Sequence, residues 1–230
     1  MEPLKFQIDR VPALQIGPPA NKVFLFVHGK MGRKEDAIDF SEIAVSKGYQ
    51  VVSFDLPEHG ERQSSEERFL PWVVIPEIQK AYAFTKNHWA HISLYAVSIG
   101  AWFSMLALQG KMIEKALFVS PIVDMDDLIH RMLQWENVTE ADLEQKLEIK
   151  TSFGETLSWE YLSWVRKHPV QWNVSTAVLY AKNDDLTPQP DIQSFTASID
   201  GQLTVMNNGE HWFHTDEQLA FLHNWEKANI

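Results

Sequence analysis

The sequence predicts an α/β fold: a mostly parallel central sheet with helices on both faces. Three observations predict it. Short apolar runs alternate with helix-like stretches in a strand, helix, strand, helix rhythm from Val23 to Val119. The runs Val23-Phe24-Leu25-Phe26-Val27 and Ala116-Leu117-Phe118-Val119 are apolar on both faces, as in strands covered from two sides. Finally, His28, Asp55, Ser98, Asp184 and His211 each fall just past a strand end, the edge at which open parallel sheets bind ligands.

The elements follow in order. Leu4 to Ile16 reads as one or two short edge strands, closed by Pro18-Pro19. Strand Val23–Val27 leads through a Gly-containing loop into a helix from about Glu35 to Lys47, with Ile38, Ile43 and Ala44 on one face and Gly48 as its C-terminal cap. Strand Tyr49–Phe54 comes next. A polar stretch, Glu58 to Arg68, then precedes a helix containing Glu77 to Phe84. Strand Ile92–Ala96 is followed by a helix running to about Leu108, and strand Ala116–Val119 ends at Ser120-Pro121.

Residues 122–172 break the rhythm. Leu128, Ile129, Met132 and Leu133, then Leu143, Leu147 and Ile149, have helical spacing, and Thr139-Glu140-Ala141-Asp142 forms a capping-box pattern. Asp124, Asp126 and Asp127 read as a solvated helix start favoured by the macrodipole. The strand at Ala177–Tyr180 follows, then one beginning near Leu203, and a terminal helix covers about Asp216 to Lys227. The domain expectation is one core, 1–121 with 173–230, interrupted by a helical insertion at 122–172.

Ser98 carries the most chemistry. It stands in Leu94-Tyr95-Ala96-Val97-Ser98-Ile99-Gly100-Ala101, where a strand breaks into a small-residue turn and a helix follows at once. Small side chains two before and two after let the backbones pass. The serine hydroxyl then projects beside the unpaired N–H groups of a helix N-terminus, which stabilise negative charge. A plain alternative is a serine that only caps the helix.

Downstream, an apolar strand ends in Asn183-Asp184-Asp185 with Pro188 beyond, and another ends in Gly209-Glu210-His211. Upstream stand Val27-His28-Gly29 and Asp55-Leu56-Pro57-Glu58-His59-Gly60. In this order and at these strand ends, the segments from 23 to 213 resemble the α/β-hydrolase family. One position departs from the family pattern: Ala96 stands where glycine is usual.

The resemblance implies Ser98 as nucleophile, His211 as general base and Asp184 as the carboxylate orienting it. His214 and Asp185 are the neighbouring alternatives. It also implies an oxyanion hole made by the backbone N–H groups of Ile99 and Lys30, with Met31 able to replace Lys30, and a cap at 122–172. The implied activity is cleavage of a small or medium carboxylic ester through an acyl-enzyme, with no cofactor or metal. The alternatives are peptidase, thioesterase or amidase action, or a ligand-binding member without turnover.

The remaining features have two readings. The Lys30 side chain meets either solvent or an anionic group of the substrate. Trp135, Trp159, Trp164 and Trp172 either line a pocket or pack the insertion against the core. His28, Asp55 and His59 lack the short paired spacing of metal ligands and read as loop braces.

Composition bounds the rest. The chain has 230 residues, 45% apolar and 12% aromatic, enough for one full core. Its net charge of −11 disfavours nucleic acid and anionic membranes as partners, and the partner that the resemblance implies is a small-molecule acyl substrate. The absence of cysteine removes disulfides, zinc thiolates and a thiol nucleophile. No apolar run exceeds five residues, against the roughly 20 that span a bilayer. With no signal-peptide pattern at Met1 to Phe6, the expected location is the cytoplasm.

Overall fold

The computed structural model describes residues 2–230. Among the described residues there are ten strands and eight α-helices. The strands are β1 (Leu4–Ile8), β2 (Val11–Ile16), β3 (Lys22–Val27), β4 (Tyr49–Phe54), β5 (His91–Val97), β6 (Ala116–Val119), β7 (Glu148–Lys150), β8 (Thr156–Ser158), β9 (Thr176–Ala181) and β10 (Gln202–Met206). The helices are α1 (Ala37–Ser46), α2 (Pro71–His88), α3 (Ile99–Ala107), α4 (Met125–Trp135), α5 (Glu140–Lys146), α6 (Trp159–Lys167), α7 (Gln189–Ser198) and α8 (Asp216–Asn229).

Eight strands form one sheet in the order β1-β2-β4-β3-β5-β6-β9-β10. β1, β2 and β4 pair antiparallel, and every pair from β4 to β10 is parallel. The chain starts the parallel sheet at β3, builds β4 on one side, then crosses to β5 on the other. Ligands bind at the carboxyl edge beside such a switch point. The register aligns that edge: Val27 pairs with Ala96, Val97 with Val119, Val119 with Leu179 and Ala181 with Met206. The residues that follow these strands therefore share one rim.

Both faces of the sheet are buried, as the apolar runs require. One core packs Phe24, Phe26, Val51 and Leu179 against Phe40 of α1 and Trp225 of α8. The other packs Leu25, Val27, Leu94 and Phe118 against α2, α3 and the insertion. No helix among the described residues is long and apolar enough to cross a membrane.

Three details differ from the sequence reading. In α1 the stripe facing the sheet is Ala37, Phe40, Ser41, Ile43 and Ala44, while Ile38 is exposed. The helix begins at Ala37, so positions spaced three and four from it face inward and Ile38 is rotated away. Helix α7 lies between β9 and β10, where the sequence reading had only resuming strands. It opens with Pro190 near its start, a position prolines favour, and buries Ile192 and Thr196.

The third difference is in the insertion, which is not helical throughout. The capping box forms at Thr139 and Asp142, but α5 stops at Lys146. Leu147 then takes φ 65°, and β7 pairs antiparallel with β8. Leu147 is exposed and Ile149 lies on a strand, so their helical spacing with Leu143 was fortuitous. Asp124 does cap α4, accepting from the Asp127 N–H at 2.9 Å.

Candidate active site

Ser98 sits at the tip of the turn between β5 and α3 with φ 52° and ψ −126°, a backbone conformation that costs an L-residue energy. Its surroundings hold it there. The Ser98 N–H donates to the Val119 carbonyl at 3.0 Å, and the Ile122 N–H donates to the Ser98 carbonyl at 3.2 Å. Gly100 is required by close approach: a Cβ there would lie 2.4 Å from the His28 carbonyl oxygen and 2.9 Å from that of Val27. Ala96, two residues before the serine, is fully buried and accommodated.

Three side chains from distant segments meet at this turn. Ser98 Oγ lies 2.8 Å from His211 Nε2, and His211 Nδ1 lies 2.7 Å from Asp184 Oδ2. Asp184 has its other oxygen on the backbone, accepting from the Leu186 N–H at 2.8 Å and the Thr187 N–H at 3.2 Å. With Asp184 as acceptor, the His211 proton resides on Nδ1, and Nε2 is left to accept from the serine hydroxyl. The turns carrying the acid and the histidine are tied together: the Asn183 N–H donates to the Gly209 carbonyl at 3.0 Å, and the Lys182 N–H to the Met206 carbonyl at 3.0 Å.

Neither neighbouring alternative joins this chain of bonds: the carboxylate on His211 Nδ1 is that of Asp184, and His214 Nδ1 binds the Trp212 carbonyl at 2.8 Å. The rim beside the serine is partly apolar, with Met31 91% and Trp212 76% exposed on the loops that flank it.

The loop after β3 is held by buried polar groups. His28 Nε2 accepts from the Leu56 N–H at 3.1 Å while Nδ1 meets the Gly29 carbonyl at 2.7 Å. Burial pushes His28 down to about 4, so it remains neutral in this brace. His59 Nε2 accepts from the Met31 N–H at 2.9 Å, and its Nδ1 meets the Pro57 carbonyl at 2.7 Å. Asp55 accepts from the Lys34 N–H at 2.8 Å, the Lys34 ammonium at 2.9 Å and the Glu61 N–H at 3.0 Å. Thus His28, Asp55 and His59 act as loop braces. Among the described residues no group of three or more His, Cys, Asp or Glu is disposed to hold a metal ion.

Lys34 was not singled out by its sequence position, because nothing distinguishes it from the other loop lysines. It is nonetheless buried. Burial opposes its charge, but hydrogen bonds to Glu61, Asp55 and Glu35 outweigh that and raise its pKa.

Of the candidate oxyanion donors, Met31 has its N–H committed to His59. Among the described residues, the N–H groups of Lys30 and Ile99 have no protein acceptor, and Ile99 opens α3. The Lys30 side chain reaches across to the insertion and pairs with Glu155. Trp172 is packing: it is buried against Phe118 and donates to Thr176 Oγ1 at 2.9 Å. Trp164 packs between Trp72 and Trp102, Trp159 is half-buried against the core, and Trp135 is exposed beside Phe153 and Arg131.

No protein-family model and no curated protein matches the sequence. Solved structures do match the fold. Est1E from Butyrivibrio proteoclasticus, solved with ferulic acid bound, superposes with a TM-score of 0.81 at 15% identity, over 98% of this chain and 97% of that one. A putative hydrolase from Agrobacterium vitis gives 0.78 at 16% identity, over 99% and 98%. The chain has the α/β-hydrolase fold. Mouse α/β hydrolase domain-containing protein 10 shares it at a TM-score of 0.75 and 11% identity, over 100% and 98%. Within the α/β-hydrolase fold, the Ser98 turn occupies the tip after the central strand β5, at the rim where ligands bind.

Proposed function

We propose that this chain is a serine hydrolase that cleaves a small or medium carboxylic ester through an acyl-enzyme. The observation that carries this reading is the unbroken hydrogen-bond chain Ser98–His211–Asp184, at 2.8 and 2.7 Å. An alcohol is a weak nucleophile, and a base in direct contact removes its proton as attack proceeds. Ser98 Oγ adds to the ester carbonyl while His211 Nε2 takes the proton. The Asp184 carboxylate stabilises the imidazolium that results.

The carbonyl oxygen becomes an oxyanion, and the N–H groups of Lys30 and Ile99 receive it. Each such donor is worth about 3 kcal/mol in the transition state. His211 returns its proton to the departing alkoxide, leaving the acyl group on Ser98. Water then attacks the acyl carbon, giving its proton to His211, and the acid departs as Ser98 recovers its own.

The insertion at 122–172 serves as a cap over this rim, and the enzyme acts in the cytoplasm on a small-molecule substrate. The ferulic acid held by Est1E motivates a hydroxycinnamoyl ester beside simple acyl esters. A panel of p-nitrophenyl esters, thioesters and anilides, assayed with wild type and Ser98→Ala, tests the reading. Ester turnover lost in Ser98→Ala is expected. Turnover confined to thioesters or anilides moves the chain to another hydrolase class, and no turnover with any of them defeats the proposal.

A further inference from the structure

The acid loop is held from outside the core. Arg131, on α4 of the insertion, donates through Nη1 to the Asp185 carbonyl at 2.8 Å and through Nη2 to the Leu186 carbonyl. Its Nε donates to Asp127 Oδ2 at 2.9 Å, and its guanidinium lies 5.6 Å from the Trp135 ring centre. All three nitrogens of the guanidinium are engaged, so the group is fixed in orientation.

The two carbonyls it grips belong to the two consecutive peptide units whose N–H groups hold Asp184. Leu186 supplies an N–H to Asp184 Oδ1 and its carbonyl to Arg131; the next N–H on that oxygen comes from Thr187. The loop has other anchors on the core side. Tyr180 OH donates to the Thr187 carbonyl at 2.9 Å, and Thr187 Oγ1 donates to the Pro121 carbonyl at 3.2 Å. Both anchors act at Thr187. Among the described residues, only Arg131 donates to the carbonyls of Asp185 and Leu186, the stretch next to the carboxylate itself.

We propose that Arg131 is a positioning residue that makes the aim of Asp184 at His211 depend on the seating of the insertion. It touches no reacting atom. It acts by fixing the peptide planes at 185 and 186, and through them the two N–H groups that orient the carboxylate. The proposal rests on the serine-hydrolase reading for its kinetic consequence only.

Two measurements test it on the full chain: kinetics with a p-nitrophenyl ester, corrected for sites labelled by a fluorophosphonate, and the low-field proton resonance of His211 Nδ1–H. For Arg131→Ala, kcat falls between about tenfold and a hundredfold, the scale of an ångström-sized misplacement, with KM changed by less than about threefold. The acidic limb of kcat/KM moves to lower pH, because a poorly aimed Asp184 stabilises the imidazolium less. The Nδ1–H resonance moves upfield and broadens. Arg131→Lys, which keeps one charged donor, is intermediate in each readout and serves where the alanine variant does not fold. A purely structural role would lower the labelled fraction and leave the pH limb and the resonance where they were, and that result overturns the proposal. A wild type that turns over no ester removes the hydrolase reading, while the resonance still decides whether Arg131 aims Asp184.

Discussion

The Met31 N–H donates to His59 Nε2 at 2.9 Å, and this bond shapes the loop that faces Ser98. It withdraws Met31 as a donor and holds the peptide before it, so that the Lys30 N–H stays free. Replacing His59 with alanine unties the loop. The expected loss in kcat/KM is about tenfold, short of the loss from deleting an oxyanion donor outright. Steady-state kinetics with a p-nitrophenyl ester checks it, and an unchanged kcat/KM would show that the brace is not needed.

Gly100→Ala tests the packing beneath the serine turn. The added methyl would meet backbone carbonyls of the adjacent strand end at 2.4 and 2.9 Å, and backbone cannot swing aside as a long side chain does. The variant should lose about 3 kcal/mol of stability, read as a lower denaturation midpoint in urea.

His28 sets an acid limit on stability. In the unfolded chain it takes up its proton near 6.5, and in the folded protein only near 4. Between these values the unfolded chain binds more protons, so acid favours unfolding. The contribution is fully present above 6.5 and lost as pH falls towards 4, roughly 3 kcal/mol in all. Urea melts from pH 7 to pH 4 should show that much less pH dependence in His28→Asn than in wild type.

Glu226 acts in the opposite direction. It is buried beneath the sheet and accepts from Tyr95 OH at 2.6 Å, while its second oxygen has no partner among the described residues. Burial raises its carboxyl from 4.5 to about 7, despite the lowering effect of the Tyr95 bond. Here the folded protein holds the proton more tightly. Its stabilising effect is present below 4.5 and is lost as pH rises through about 7. Glu226→Gln imitates the protonated form and should stabilise the protein by roughly 3 kcal/mol at pH 8, with little effect at pH 4.5. Thermal or urea melts at the two pH values distinguish this from a uniform change.

On the proposed reading, the Lys30–Glu155 pair sets how the site treats charged substrates. Glu155 pairs with the Lys30 ammonium, which leaves little free charge there for an anionic acyl group. Both side chains are substantially exposed, and such pairs contribute up to about 1 kcal/mol. Glu155→Gln should shift preference from p-nitrophenyl butyrate towards p-nitrophenyl hemisuccinate by about fivefold at low salt, with the shift gone at high salt.

Much of this arrangement was legible in the sequence because it depends on local pattern. The apolar runs gave β3, β4, β5, β6 and β9 within about a residue, and small residues around Ser98 marked a turn whose geometry only such residues permit. Apolar runs before Ser98, Asp184 and His211 put all three just past strand ends. Arg131, Lys34 and the β7–β8 hairpin were not legible. Arg131 matters through carbonyls more than fifty residues away, and a carbonyl leaves no trace in side-chain identity. Lys34 is held buried by Asp55 and Glu61, carboxylates that only folding brings to it and its neighbour Glu35. The hairpin follows from Leu147 taking a positive φ, which a leucine in a helical pattern does not announce. The Met31 N–H is likewise taken up by a single bond to His59, which its sequence position does not announce.

The most direct measurement is a rapid-mixing burst with p-nitrophenyl acetate. If Ser98 is acylated and then deacylated, p-nitrophenol appears in an initial burst of about one equivalent per protein, followed by a slower steady rate, and Ser98→Ala shows neither. A single linear phase that persists unchanged in Ser98→Ala would contradict the account.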